Sequence, residues 1–116
     1  MTETTTAPSP TVTIASTVTL RPVTGENLSA VMRLELGPGQ EKFVAPNSVS
    51  MAQAAFNRYA WPRAIYADAA PVGFVMLYDD PDQPEYFLWR LMIDHPYQRM
   101  GFALSLINIS EPTRPY

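Results

Sequence analysis

The stretch EYFLWRLMIDHPYQRMGFA (residues 85–103) joins a strongly apolar segment to a loop that contains a glycine. Its first part, residues 85–93, is rich in aromatic and aliphatic side chains and predicts a β-strand. Its last part, QRMGFA at residues 98–103, has the composition of a turn that leaves a strand and enters a helix. The stretch therefore predicts a strand, a turn and the start of a helix.

The turn at residues 98–103 has features of an anion-binding loop. The first backbone N–H groups of a helix have no intrahelical acceptor, and the helix dipole adds positive potential there. Gly101 lets the backbone approach a ligand, the small side chain of Ala103 avoids a clash, and Arg99 adds charge. The spacing is compatible with a bound diphosphate. A plain strand-to-helix turn is the alternative, because short glycine patterns recur by chance.

Two further strands precede this stretch. Residues 62–67 (PRAIYA) and 71–78 (PVGFVMLY) are rich in aromatic and β-branched side chains. The short link DAA between them predicts a hairpin, and DDPDQP before residue 85 predicts a turn. Together with residues 85–93, they predict an antiparallel meander of three strands.

The first half of the chain predicts one more strand and a helix. Residues 17–23 (TVTLRPV) suit a short edge strand, where proline is tolerated. Helical spacing then places four residues on one face of a first helix, which the sequence GPG ends. These residues are Leu28, Val31, Met32 and Glu35.

A second helix is indicated by an apparent capping box. Ser50 is followed by Gln53, and Val49 is placed to pack against Ala54. The apolar side of this helix would comprise Met51, Ala54, Ala55 and Tyr59. The order of elements, β-α-α-β-β-β-loop-short α, predicts an α+β fold with helices packed on an antiparallel sheet.

Composition limits the classes of function. With 116 residues, of which 47% are hydrophobic, the chain fits one small domain. A net charge of -3 argues against a nucleic-acid surface, because such surfaces cluster Lys and Arg. The absence of cysteine excludes thiolate sites, and a single histidine, His95, excludes a histidine metal cluster. No apolar run approaches the roughly 20 residues that cross a bilayer, and no secretory signal is evident, so a cytoplasmic protein is predicted.

Residues 17–103 resemble the N-terminal half of the GCN5-related N-acetyltransferases, the GNAT family. The loop Gln98-x-x-Gly101-x-Ala103 matches the family pattern Gln/Arg-x-x-Gly-x-Gly/Ala, and the order of elements agrees. The segments EKFVAPNSVSMAQAAF, AIYADAAPVGFVMLY and EYFLWRLMID are similar to a branch of diamine, spermine and spermidine acetyltransferases. The truncated GNAT fold is thus the expected architecture.

This resemblance implies acetyl transfer from acetyl-CoA to a primary amine, without a metal. It implies that the backbone of the last predicted strand holds the pantetheine arm, at Leu91, Met92 and Ile93. It also implies that the loop holds the diphosphate. The loop residues concerned are Gln98, Arg99, Met100, Gly101, Phe102 and Ala103.

A carboxylate is the expected base, because a protonated amine must lose a proton before it attacks a thioester. Glu85 and Glu41 are the candidates. A polyamine would need further carboxylates for its other ammonium groups, and those available are Asp79, Asp80, Asp82, Glu85 and Glu35. For each of these residues, a solvated charge in a turn or on a helix face is the alternative.

Other side chains are assigned by the same reasoning. Tyr78 and Tyr86 are predicted substrate-pocket residues, together with Glu35. The other aromatic residues of the strands could also line a slot, but most of them are predicted to pack in the core; they are Trp61, Phe74, Phe87 and Trp89. His95 precedes Pro96 and is predicted to be a turn residue rather than a base.

Three regions are expected: a disordered leader at residues 1–16, the N-terminal part of an acetyltransferase domain at 17–103, and a non-native tail at 104–116. The tail LSLINISEPTRPY contains Pro112 and Pro115 where the family has a long helix, which predicts a truncated chain. Such a chain would expose the edge of its last strand and associate through it.

The amine is the expected small-molecule partner, and nucleic acid and membrane are not. A homodimer is left open for a full-length parent. Two other functions stay open as well. The first is an inactive truncated fragment, or a non-catalytic module that binds CoA or another protein. The second is a GNAT enzyme that acts on an antibiotic, an amino acid or a protein N-terminus.

Overall fold

The computed structural model describes residues 12–40, 46–84 and 87–105, which are organised around a four-stranded antiparallel sheet. The strands are β1 (Val18–Pro22), β2 (Ala60–Ala67), β3 (Ala70–Tyr78) and β4 (Phe87–Ile93), in the spatial order β1-β2-β3-β4. The helices are α1 (Leu28–Met32) and α2 (Asn47–Ala55), and a 3-10 helix (His95–Tyr97) follows β4. Residues 102–105 are helical again. The predicted α+β fold, with an antiparallel meander and helices packed on the sheet, is confirmed.

Each face of the sheet has its own cluster of buried side chains, because successive residues of a strand point to opposite faces. The cluster under α1 and α2 contains Val31, Ala64, Tyr66, Phe74, Met76 and Met92. The cluster on the other face contains Val12, Ile65, Ala67, Val72, Val75, Leu77, Tyr97 and Phe102. The segment after β4 is therefore anchored on the face of the sheet opposite α1 and α2.

The N-terminal residues of the described chain belong to this second cluster. Val12 is buried there, although residues 1–16 were predicted to be a disordered leader. Its burial means that residue 12 contributes to the core of the domain. Residues 1–11 lie outside the described residues.

Helix α1 is shorter than its sequence pattern predicts. It ends at Met32, so Glu35 does not lie on a helix face. Instead, the Glu35 backbone N–H donates to Oδ1 of Asp94 at 2.7 Å, and the Glu35 carbonyl accepts from the His95 N–H at 2.7 Å. These tertiary hydrogen bonds satisfy the backbone of Glu35 where a longer helix would have used local ones.

Helix α2 starts earlier than predicted, and the proposed capping box is wrong. The helix begins at Asn47 with Pro46 as its N-cap, so Ser50 is an interior residue and is fully buried. The side chain of Gln53 does not cap the helix but accepts a hydrogen bond from Nη2 of Arg90 at 2.9 Å. Asn47 donates its side-chain amide to the Val31 carbonyl at 2.9 Å, which ties the start of α2 to α1.

Strands β3 and β4 pair with one irregularity. Met76 lies opposite Arg90 and Leu77 lies opposite Leu88, so Trp89 is an extra residue that bulges from β4. At the other end of the pair, Gly73 lies opposite Ile93. The bulge and the close approach at Gly73 together set the position of the last residues of β4, from which the loop departs.

Candidate functional site

The backbone of the loop at residues 98–103 is accessible from outside at Gly101. Arg99 has a φ of 68° and Gly101 a φ of 82°, and the Ser105 N–H donates to the Gly101 carbonyl at 3.1 Å as the chain becomes helical. Gly101 is exposed, and a Cβ placed on it would meet no atom within 4 Å. The backbone at Gly101 is therefore accessible to a ligand in the way that a phosphate-binding loop requires.

The same loop is fixed to the sheet by apolar side chains. Phe102 is 3% exposed and Tyr97 is 8% exposed, and Met100 packs against the same cluster. Met100 and Phe102 were predicted to bind the cofactor, and the structure leaves mainly their backbone for that purpose. The role of Tyr97 in anchoring the loop was not predicted from the sequence, although its spacing from Met100 and Phe102 could have indicated an apolar face.

The end of β4 offers backbone groups at its outer edge. The Asp94 N–H donates to the Val72 carbonyl of β3 at 2.8 Å. Because backbone groups alternate in direction along a strand, those of Ile93 and Leu91 point away from β3. In the part of the chain that the structure describes, no strand pairs with this edge. The side chains of Leu91 and Ile93 pack on the cluster around Tyr97, so their backbone is what remains for a ligand.

Gln98 is held between two parts of the chain. Its side-chain Nε2 donates to the Ile93 carbonyl at 2.9 Å and to Oε1 of Gln40 at 3.0 Å. Oε1 of Gln40 also accepts from the Gly37 N–H at 2.9 Å. Gln98 therefore connects the start of the loop both to the end of β4 and to the segment that follows α1.

Two of the predicted substrate residues, Glu35 and Tyr78, are not brought together. Glu35 is hydrogen bonded to Asp94, at the C-terminal end of β4, whereas Tyr78 lies opposite Phe87, at the N-terminal end. Strand rise separates these ends by roughly 20 Å. Tyr78 lies in an aromatic cluster in which its ring centroid is 5.0 Å from that of Phe87, 5.7 Å from Tyr59 and 6.0 Å from Trp89.

The remaining carboxylate candidates are only partly described. Asp79 is buried and its N–H donates to the Tyr59 carbonyl at 2.9 Å, while Asp82 is exposed in the turn between β3 and β4. The predicted bases Glu41 and Glu85, and the predicted pocket residue Tyr86, lie outside the described residues. Their roles stay predictions.

Comparison with known families agrees with this geometry. The model of the acetyltransferase (GNAT) family matches residues 29–111. The chain belongs to the GNAT family. Neither the curated proteins nor the solved structures contain a significant match.

The match to the GNAT family extends beyond the described structure. It runs past residue 103, where the non-native tail was predicted to begin, and residues 106–116 lie outside the described residues. Membership indicates an acetyltransferase that uses acetyl-CoA, and it does not specify the acceptor. None of the helices described in this GNAT domain has the length and hydrophobicity to span a membrane. Residues 12–40, 46–84 and 87–105 contain no group of three His, Cys, Asp or Glu side chains suited to a metal.

Asp94, next to the GNAT loop, is predicted to make stability depend on pH. Burial raises the pKa of its carboxyl above the ordinary value, and the hydrogen bond from the Glu35 N–H only partly opposes this. A raised folded-state pKa means that the folded protein binds the proton more tightly, so stability falls as pH rises through that pKa. Asp94→Asn keeps the acceptor oxygen and should remove this fall, with stability at pH 7 equal to or above that of the wild type.

Urea unfolding from pH 3 to pH 7 measures this effect. Asp82→Asn, in the exposed turn, is the matched control and should leave the profile unchanged. An Asp94→Asn profile that falls as steeply as that of the wild type would show that burial of this carboxyl is not the cause.

Proposed function

We propose that this GNAT domain transfers the acetyl group of acetyl-CoA to a primary amine, with a diamine or polyamine as the acceptor. The observation that carries the proposal is the accessible backbone at Gly101, in a loop that follows β4 and the 3-10 helix and is fixed by Tyr97 and Phe102. Membership of the family supports the use of acetyl-CoA. The choice of amine rests on the sequence resemblance and on the acidic side chains.

The described residues fit the two polar parts of the cosubstrate. The diphosphate would bind to the backbone N–H groups of residues 99–103, with the guanidinium of Arg99 nearby to balance its charge. The amide groups of the pantetheine arm would bind to the outward N–H and carbonyl of Leu91 and to the N–H of Ile93, whose carbonyl already accepts from Gln98. Both sites use backbone groups, so burial of the Phe102 side chain is compatible with a role of the loop in binding.

The reaction requires one proton acceptor on the protein. The ammonium form of the substrate loses a proton to a carboxylate, directly or through water, and its nitrogen then attacks the thioester carbonyl. A C–N bond forms and the C–S bond breaks; the nitrogen gives up a second proton as the amide forms, and this proton, directly or through water, balances the one that the CoA thiolate takes up to leave as the thiol. Glu85 and Glu41 are the proposed bases.

A polyamine acceptor suits the acidic character of the chain. The net charge is -3, and the turn after β3 carries Asp79, Asp80 and Asp82. This turn is ordered by a hydrogen bond from the Asp82 N–H to Oδ1 of Asp80 at 2.9 Å. It follows Tyr78 directly, so the aromatic cluster and the exposed carboxylate of Asp82 offer ring faces and negative charge to a chain of methylene and ammonium groups.

A non-catalytic binding module is the second candidate. Phe87 is 56% exposed and Leu88 is 52% exposed, next to the outer edge of β4. An apolar strand with this exposure suits pairing with another protein or with a second copy of the chain. This candidate predicts association that does not depend on CoA.

The test combines calorimetric titration with CoA and an assay for the released thiol. Acetyl-CoA is offered with 1,4-diaminobutane, spermidine, an aminoglycoside, free amino acids and a peptide with a free N-terminus. We expect CoA binding, and thiol release that is fastest with the diamine or spermidine. Faster release with another acceptor would replace the polyamine assignment, and a chain that neither binds CoA nor releases thiol would overturn the acetyltransferase proposal.

A further inference from the structure

Residues 37–40, which follow α1, form a turn that contacts Gln98. Residues 37–40, GPGQ, place proline second and a glycine with a φ of 82° third, and the Gln40 N–H donates to the Gly37 carbonyl at 3.0 Å. This is the pattern of a type II turn. We call residues 34–40 the linker. The turn presents Oε1 of Gln40 to the Gly37 N–H and to Nε2 of Gln98.

The two amide hydrogens of Gln98 are both accounted for by these contacts. One is directed to the Ile93 carbonyl and the other to Oε1 of Gln40. A glutamine side chain has no other donor, and its remaining oxygen is an acceptor. An acceptor oxygen does not stabilise a phosphate group, so the side chain of Gln98 has nothing left to offer the diphosphate.

We infer that Gln98 is a positioning residue that locks the linker to the 98–103 loop, rather than a ligand of the cosubstrate. Through Ile93 it fixes the loop to the end of β4, and through Gln40 it fixes the linker to the same point. The linker carries Glu35 and leads in sequence to Glu41. Gln98 thus connects the cosubstrate loop to the segment that follows α1.

This connection has a thermodynamic consequence, which rests on the proposed function. If CoA orders the loop, the contact through Gln98 also restrains the linker. The coupling is reciprocal, so a ligand that orders the linker would in turn favour CoA binding. Asp94 holds the linker at a second point, through the Glu35 N–H. Loss of the lock should therefore loosen residues 37–40 while the contact at Glu35 persists.

Hydrogen exchange of the Gly37 and Gln40 amides tests the lock without any ligand. In Gln98→Ala, we expect the Gly37 amide to exchange about fivefold faster, as befits the loss of one hydrogen bond. Gln40→Ala removes the acceptor of the Gly37 N–H itself and should speed its exchange at least as much, and the double variant should exceed Gln40→Ala by little, because both side chains belong to one contact. Gln83→Ala, in the exposed turn between β3 and β4, is the matched control. Unchanged exchange in Gln98→Ala would overturn the lock.

Titration with CoA then separates positioning from direct binding. We expect CoA to increase protection of residues 37–40 in the wild type but not in Gln98→Ala or Gln40→Ala, while both variants keep CoA affinity within about threefold, since neither removes a ligand contact. If Gln98→Ala weakens CoA tenfold or more and Gln40→Ala does not, Gln98 is a ligand and the inference fails. A wild type that does not bind CoA would instead overturn the proposed function, with the ligand-free exchange still deciding the lock.

Discussion

Gly101→Ala is expected to weaken CoA binding about tenfold or more and to cost about 1 kcal/mol of folding free energy. The residue has a φ of 82°, which an L side chain adopts only with strain, and the surrounding space is empty. A methyl group there would not disturb the packing of the protein. It would stand where a diphosphate must approach the backbone, so the loss of affinity should exceed the loss of stability.

Calorimetric titration with CoA and urea unfolding measure the two effects. Gly39→Ala is a matched control, because Gly39 also has a φ of 82° and its added Cβ would also meet no atom within 4 Å. It should lose a similar amount of stability and keep CoA affinity within about threefold. Equal losses of affinity in the two variants would mean that backbone strain, and not access to Gly101, controls binding.

Gly73→Ala is expected to destabilise the fold by about 2–4 kcal/mol. The added Cβ would lie 2.5 Å from the Met92 carbonyl oxygen and 3.0 Å from Cδ1 of Ile93. A backbone carbonyl within a sheet cannot rotate away as a flexible side chain can. Relief therefore requires β4 to move from β3, which would also displace the residues from which the cosubstrate loop departs.

The measurement is the midpoint of urea unfolding at constant slope. Gly25→Ala is the control, because its added Cβ would meet no atom within 4 Å and its φ is not positive. It should leave stability within about 0.5 kcal/mol of the wild type. A Gly73→Ala midpoint equal to that of Gly25→Ala would show that the β3–β4 pair tolerates a wider separation than its close packing indicates.

The strands were the most predictable part of the fold. Residues 62–67, 71–78 and 85–93 lie within or overlap β2, β3 and β4, because their aromatic and β-branched side chains suit a pleated and largely buried surface. Helix ends were less predictable. The helical periodicity of the sequence continued to Glu35, beyond the end of α1, and Ser50 and Gln53 had the spacing of a capping box that α2 does not form. These local preferences contribute less free energy than the tertiary hydrogen bonds that replace them.

The candidate site likewise has a part that the sequence predicts and a part that it does not. The glycine loop was visible from residue order, because accessible backbone requires a residue without a side chain at Gly101. The burial of Phe102 and Tyr97 was not assigned, since it depends on which face of the sheet the loop crosses. The separation of Glu35 from Tyr78 was also hidden, because it depends on the pairing of β3 with β4.

The sequence by itself determined the order of elements, the antiparallel meander and the loop that marks the GNAT family, since each of these depends on neighbouring residues. Only the tertiary structure decided what Gln98 touches. Its partner Ile93 is the last residue of β4, whereas its partner Gln40 lies in the turn after α1 and is far from it in the sequence. A hydrogen bond between distant residues exists only after packing has brought them together, so no local pattern can specify it.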